Sequence, residues 1–408
     1  MRPPEARAEP TGAFAPLQSS AYRYLFVGTA LTMTGNFMQQ VAQGWLVYDL
    51  TDSPTWLGIA SFARGIPMLF LAPLAGVLVD RFDRSTVLAW GQGLTALVAF
   101  VLAGLIASGI IQPWHVVATA FVGGSLFVLI IPARQALVPS VVPRGQMGSA
   151  IALMSTGQNA GRVVGPALAG LSISLGGTAM SFTVQAIGFL LALLCSFGLG
   201  PQRARATSRS RSPAQDLLEG MRYVLRDPAV RPLMSLQAVP AFFIMPYSQL
   251  IPIFARDILH VGPEGLGALM TANGIGAIAG AAVMVFVSTR RQGWFLFLSL
   301  AAFGLSLTAF SISVWMPASI ALMGLMGLSQ AVYLATNNTL VQLATPDELR
   351  GRVMSLYMMT WGLMPLGSLP QGILADLFGA PIVGATAGLL AGAVVLYAAI
   401  RLPALRRM

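Results

Sequence analysis

Twelve long apolar stretches with almost no charge inside them follow one another along this chain, and they decide which solvent it folds in. They run over residues 24–48, 56–79, 86–109, 114–138, 147–173, 178–199, 232–255, 264–288, 293–313, 316–343, 349–375 and 380–403. The hydrocarbon core of a bilayer takes roughly 20 mostly apolar residues per helix. Within that core only helices and closed barrels satisfy their own backbone groups. The expected fold is therefore all-α and integral to a membrane, with twelve transmembrane helices. Composition agrees: 9% of the 408 residues are charged and 56% are apolar, where a soluble domain carries about 25% charged residues. The first stretch is too long and too polar for a signal-peptide core, and its flank, Asp49–Pro54, offers no small-residue cleavage site.

All 24 basic residues are Arg. Without Lys there is no Walker-type phosphate loop and no Schiff-base chemistry on Lys. Energy for any transport must come from an ion or solute gradient or from a partner protein. Cys195 is the only cysteine, so no intrachain disulfide forms. Two His and one Cys argue against a zinc site of the usual kind, and no metal or cofactor is expected.

The Arg residues also orient the chain. With the N-terminus inside, 21 of the 24 fall on the cytoplasmic side and only Arg256 falls outside; Arg64 and Arg162 lie within spans. Basic residues resist translocation, so both termini are expected in the cytoplasm. The net charge of +10 then faces anionic lipid headgroups rather than nucleic acid.

The longest polar interruption separates six spans from six. Expected domains are an N-terminal half over 1–199, with a cytoplasmic tail over 1–23, a linker over 200–231 and a C-terminal half over 232–408. In the linker, Ser212 is placed to cap a short helix that starts at Pro213. Leu217, Leu218, Met221, Val224 and Leu225 recur at helical spacing on one face, expected at the membrane surface. The halves repeat weakly. Leu137, Pro143 and Gly176 match Leu340, Pro346 and Gly379 at an offset of 203, and Pro54 and Gly58 match Pro263 and Gly267 at an offset of 209. A parallel six-helix repeat places a binding site between the halves, near mid-membrane.

Two motifs carry chemistry. Gly76-Val77-Leu78-Val79-Asp80-Arg81-Phe82-Asp83-Arg84 follows the second span. Gly76 permits close helix packing, and Asp80 is a carboxylate at a helix end, able to meet Arg side chains and a helix N-terminus. In the fifth span, Gly157, Gly161 and Gly165 recur at every fourth position before Pro166 and Gly170. Such spacing cuts a groove that lets another helix approach closely, and Pro166 bends the helix.

These segments resemble the major facilitator superfamily. The first is similar to its loop signature G-x-x-x-D-R-x-G-R, with Asp83 where Gly is commonest. The second is similar to the signature of its antiporters, G-x3-G-P-x2-G-G, with Ala169 at one of the last glycines. The stretches from Ala133 to Pro139, Gly161 to Gly170, Glu219 to Val224 and Pro346 to Leu356 resemble the subfamily of the enterobactin exporter and macrolide efflux proteins. The resemblance runs from Tyr22 onward. It implies two six-helix halves of the major facilitator fold, and a bacterial inner-membrane exporter working as a monomer. It also implies a cytoplasmic latch in which Gly76, Asp80, Arg81 and Arg84 meet Arg350 and Arg352 across the halves.

Charges within spans are costly, roughly 2.5–3.5 kcal/mol on insertion scales. Arg64 lies roughly 13 Å deep in the second span, and Arg162 lies near the middle of the fifth. Neither has an acid at its depth. Each either faces a cavity and attracts an anionic group, or bonds to carbonyls and amides nearby. Thr32, Asn36, Gln40 and Gln43 form a polar stripe on the first span, with Gln39 beside it. Gln330, Tyr333, Asn337 and Asn338 answer it in the tenth, and Gln158, Asn159, Gln249 and Asn273 add polar points. The stripe reads as a cavity lining or as interhelical hydrogen bonding. Phe242, Phe243, Tyr247 and Trp361 are candidate apolar contacts. Asp49 is the acid best placed to carry a proton.

The expected function is alternating-access export of a small amphipathic molecule driven by proton influx. An importer of a small solute, or a non-transporting sensor or scaffold on the same fold, also fits the spacing. A nucleophile elbow and a cluster of His and acids at one depth are both missing, so an enzyme is not expected.

Overall fold

The computed structural model describes residues 12–200, 213–286 and 292–401. Its elements are helical: α1 (Ser20–Thr51), α2 (Pro54–Arg81), α3 (Arg84–Ala107), α4 (Pro113–Val141), α5 (Met147–Phe197), α6 (Pro213–Arg226), α7 (Val230–Phe243), α8 (Ile251–Ile253), α9 (Gly262–Phe286), α10 (Gln292–Ser311), α11 (Met316–Ala344), α12 (Asp347–Met359), α13 (Leu363–Phe378) and α14 (Ala380–Arg401). Pro opens α2 and α4, where its missing N–H costs nothing. Among the described residues, nine helices are long and apolar enough to cross a membrane. One of these, α5, holds two of the twelve expected spans. Its arms meet at Gly176 and Gly177, and Gly177 has a φ of 73°. The other two expected spans are polar or broken: α1 carries the amide stripe, and the eleventh is divided into α12 and α13 by the tight turn Thr360–Gly362.

The seventh span is also broken. After α7 the chain tightens into a 3₁₀ turn over Met245–Gln249, passes through α8 and ends in a π turn over Phe254–Ile258. Pro240, Pro246 and Pro252 remove backbone donors at these steps. The repeat is one residue out of its expected register at one point. At the two matching turns the glycines with positive φ are Gly177 and Gly379 (φ 88°), so the pair for Gly379 is Gly177 rather than Gly176, at an offset of 202.

In one set of helices α5 packs on α1 and α3, and α4 on α2 and α3; in the other α11 packs on α9 and α10, and α14 on α10. The two sets join chiefly through α2 on α13 and α5 on α9. The end of the bundle that carries α6 is called the linker end here, and the end with the α1–α2 turn the far end. The buried apolar core shows how unequal these ends are. Toward the far end, Met38, Leu46, Leu57 and Phe182 belong to the same continuous cluster as Phe254, Leu266 and Phe310 of the second set. At the linker end, Tyr22, Leu25, Val79, Leu88, Ile130 and Leu137 form a cluster of their own.

The linker helix α6 begins at Pro213 as its sequence suggests, while Ser212 lies outside the described residues. Its apolar face is shared. Leu217, Tyr223 and Val224 pack on the core, whereas Leu218, Met221 and Leu225 stay exposed. Gly220 sits against Arg352, where a Cβ would come within 3.1 Å, so the helix leans on α12.

Candidate functional site

A cavity of about 440 Å³ lies between the two sets of helices. The first set supplies Asn36, Gln40 and Gln43 from α1 and Ser61 and Arg64 from α2. The second supplies Ser248 and Gln249 from the break after α7, Met270 from α9, and Trp361, Met364 and Ser368 around the break before α13. Both broken spans thus meet the cavity, where irregular backbone is tolerated because it does not face lipid.

Arg64 projects from α2. Its Nη2 donates to Oδ1 of Asn36 at 2.6 Å, with the Asn36 carbonyl at 3.5 Å. Its Nη1 is buried and has no hydrogen-bond partner. Gln249 likewise has a buried, unpartnered Oε1. Gln43 lines the cavity but donates to the Val116 carbonyl at 3.1 Å, tying α1 to α4.

Several expected lining residues lie elsewhere. Arg162 is not in the cavity wall. Its Nη2 is shared between Oδ1 of Asn273 on α9 at 3.0 Å and Oε1 of Gln330 on α11 at 3.2 Å. Two amide oxygens from the opposite set thus hold Nη2 of this guanidinium across the interface. Asn337 is fully buried and donates to the Leu233 carbonyl at 3.2 Å. Tyr333, also buried, donates to the Leu236 carbonyl. Both join α11 to α7, so they are interhelical hydrogen bonds rather than lining. Gln158 is exposed on α5, away from the wall.

The glycine motif works in two directions. A Cβ on Gly161 would meet Met33 and the Thr34 amide at 2.7 Å, and one on Gly165 the Thr34 carbonyl at 2.6 Å. These two, with Gly157 against Phe26, seat α5 on α1. Gly170 turns the other way: a Cβ there would meet the Pro263 carbonyl at 2.8 Å and Gly267 at 3.1 Å, while the Pro166 carbonyl abuts Gly267. The crossing of α2 and α13 is built alike, with Gly372 against the Pro54 carbonyl at 2.7 Å and Gly58 against the Ser368 carbonyl at 2.8 Å.

The far end is further bridged by polar groups. Tyr48 donates its hydroxyl to Asp257. Arg256 donates to the Tyr48 carbonyl at 3.1 Å and pairs with Asp52. Ser53 and Thr55 donate to Asp376 at 2.8 and 2.5 Å. Asp49, expected as the acid of interest, is exposed, and Asp52 and Asp257 hold this cluster in its place. Nothing in the spacing of single residues announces such a cluster, because its members come from the ends of different spans.

At the linker end, Arg352 pairs with Glu219 of α6 at 2.8 Å and Arg350 with Asp347 at 2.5 Å. Arg84 donates to the Ala136 carbonyl at 3.0 Å within its own set, and Arg81 is exposed. Of Gly76 and Asp80 only their place in α2 is described. Asp83, which replaces the usual glycine, caps α3 by accepting from the Thr86 amide at 2.9 Å.

A family model described as transmembrane secretion effector matches residues 11–407. The chain belongs to this family. Among its relatives is the staphyloferrin A transporter of Staphylococcus aureus, 29% identical, with 88% of this chain and 90% of that one covered. The multidrug efflux pump Tap of Mycobacterium tuberculosis is 29% identical over 95% of this chain and 94% of the pump. Macrolide efflux protein A of Streptococcus pyogenes is 24% identical over 87% and 89%. Among solved structures, the fold matches a bacterial homologue of the human lysosomal transporter Spinster in an inward-facing, unoccupied conformation. There the TM-score is 0.70 at 13% identity, over 93% of this chain and 94% of that one. The nucleoside transporter NupG matches at a TM-score of 0.73 and 13% identity, over 92% and 98%. The chain is therefore a multi-pass membrane transporter of the efflux type on the major facilitator fold, acting on a small molecule, and not an enzyme.

Proposed function

We propose that the protein exports a small amphipathic molecule, a siderophore, drug or similar compound, across the bacterial inner membrane in exchange for protons. It works by alternating access as a monomer. The halves 1–199 and 232–408 rock about the central cavity, and residues 200–231 join them. Both termini and the linker end face the cytoplasm, in keeping with the Arg asymmetry. The observation that carries this reading is the one-sided closure: glycine crossings and the Tyr48–Asp52–Arg256–Asp257 cluster join the halves outside, while the inner core of the first half stands alone. On this reading the chain is caught facing inward, ready to load cargo. The efflux relatives bring the substrate classes.

The latch belongs to the other state. When the inner end closes, Asp80 meets the start of α12, and Arg352 must let go of Glu219 to receive it. Asp80→Asn should insert normally, slow transport and favour inward exposure. Transport at the parental rate would refute the latch.

Two measurements test the rest. In a Cys195→Ala background, Ser108→Cys should label from outside intact spheroplasts and Glu348→Cys only after the membrane is opened; the reverse pattern sinks the orientation. Export into inside-out vesicles should stop when the pH gradient is collapsed. Export that persists and follows sodium or substrate alone would remove proton exchange.

A further inference from the structure

We infer that the cavity holds its cargo by an anionic group, a carboxylate, phosphate or sulfonate, set against Arg64. The inference rests on the reading of this cavity as the transport site. A guanidinium keeps its charge in proteins and has five N–H donors in a fixed plane. Arg64 spends Nη2 on Asn36, and Nη1 is buried with no partner. None of the described residues that line the cavity is acidic. An uncompensated buried cation is costly, and a charge retained in a span marks a site of use. An anion supplies what is missing: a carboxylate-like group takes the paired donors of a guanidinium side by side.

The neighbours fit the same chemistry. Gln249 has its Oε1 buried and unpartnered, and half a turn of its amide presents N–H instead. Ser61 and Ser248 add hydroxyl donors. Phe37 and Trp361 give the wall an apolar face for the rest of the molecule. Arg162 makes the contrast. It lies in a span as Arg64 does, yet its Nη2 is already shared between the oxygens of Asn273 and Gln330, and it is not among the residues that line this cavity. The same Arg64 repels cationic cargo, so the cavity selects by sign.

The test uses the full-length purified protein in a Cys195→Ala background with Ser61→Cys, whose thiol stands in the cavity wall. Its rate of modification is measured with the anionic sulfonatoethyl and the cationic trimethylammonioethyl methanethiosulfonates, each normalised to a free thiol. The anionic reagent should react roughly tenfold faster or more. Arg64→Gln should bring the two near parity, and Arg64→Lys should retain the preference. Dansylglycine should then protect the thiol at roughly tenfold lower concentration than its neutral amide, and Arg64→Gln should erase that gap. Equal rates in the parent, a preference that survives Arg64→Gln, or protection that does not favour the acid overturns the inference while leaving the transport site standing. If neither reagent reaches the thiol, the open-cavity reading itself falls and takes the inference with it. Should Arg64→Gln not fold, the parental ratio and Arg64→Lys decide.

Discussion

Two helix crossings close the far end of this transporter, and the internal repeat makes them images of each other. Pro54, Gly58 and Arg64 on α2 precede Pro263, Gly267 and Asn273 on α9 by 209 positions, and Arg162 and Gly170 on α5 precede Met364 and Gly372 on α13 by 202. At both crossings glycine meets glycine over a proline carbonyl. At both, a third helix packs a glycine on a carbonyl nearly two turns deeper, Gly124 on Arg64 and Gly327 on Asn273. The backbones match, and the side chains do not. Where α5 crosses α9, Arg162 finds the Asn273 amide across the interface. Where α2 crosses α13, the cation is on α2 and Met364 stands opposite, offering no amide oxygen. One crossing is bonded shut at mid-depth, and the other leaves a cation facing the cavity. Equal backbone geometry therefore serves two purposes, and the choice rests on the amides of Asn273 and Gln330.

The largest effect should come from breaking the feature that both crossings share. Gly170→Val and Gly372→Val each drive a side chain into a carbonyl less than 3 Å away. Overpacking of this kind costs about 1–3 kcal/mol, or roughly a ten- to hundredfold loss of the closed far end. Transport should fall by that order for both, with the Ser61→Cys thiol newly reachable from outside. A crossing that tolerates its valine would show that the two are not equivalent.

The mid-depth difference should separate next, in thermal melting. Arg162→Met leaves the Asn273 and Gln330 oxygens without their donor, at about 1–3 kcal/mol. Arg64→Met removes a guanidinium that is only half satisfied, so it should leave the melting temperature unchanged or raise it. Equal losses in both variants would erase the distinction drawn between them.

A smaller effect belongs to the polar cap, found on one crossing. Asp376 accepts from Ser53 and Thr55. Hydrogen bonds from Thr55 first, opposed by slight burial and aided by Ser53, hold its carboxyl below the usual carboxylate range. At the image position, Ser174 bonds only within its own helix. Asp376→Asn should weaken closure by about 0.5 kcal/mol, as exposed charge contacts do, seen as a two- to threefold rise in outside labelling. A change matched by Ser174→Ala would contradict the asymmetry.

The smallest effect serves as a baseline outside both crossings. Asp227 is raised by burial, but the amides of Val230 and Ala229 and the Tyr223 hydroxyl outweigh that, so its carboxyl titrates below the ordinary value. A depressed carboxyl contributes stability that is present above its unfolded pKa of about 3.9. That stability is lost as pH falls through the lower folded value. Asp227→Ala should cost roughly 0.2–0.4 kcal/mol at pH 7, the low end for an exposed charged contact, and nothing once both states are protonated. A deficit that grows on acidification would be the wrong sign.

Much of this was legible from residue order, because it rests on local or periodic properties. The membrane follows from apolar length. Orientation was expected from the Arg bias, Gly170 from the glycine motif, and Gly58 with Gly267 as a repeat pair, while Gly372 was not singled out. Asn36, Gln40, Gln249 and Arg64 were expected at the cavity and stand there. Arg162 and Asn337 were expected with them and do not, since a polar residue in a span faces open space or a neighbouring helix with equal ease. Which it does depends on what that neighbour carries.

The chain's own order thus determined a bundle of spans in two repeated halves, since burial length and backbone satisfaction are properties of each segment alone. Only the tertiary structure decided which end closes, that Arg256 joins Asp52 and Tyr48 there, and that Asn273 occupies Arg162 while Arg64 is left with a free nitrogen. These are pairings between residues about a hundred positions or more apart for the most part. They form because helix packing brings certain faces within 3 Å or so, and no periodicity records which face meets which.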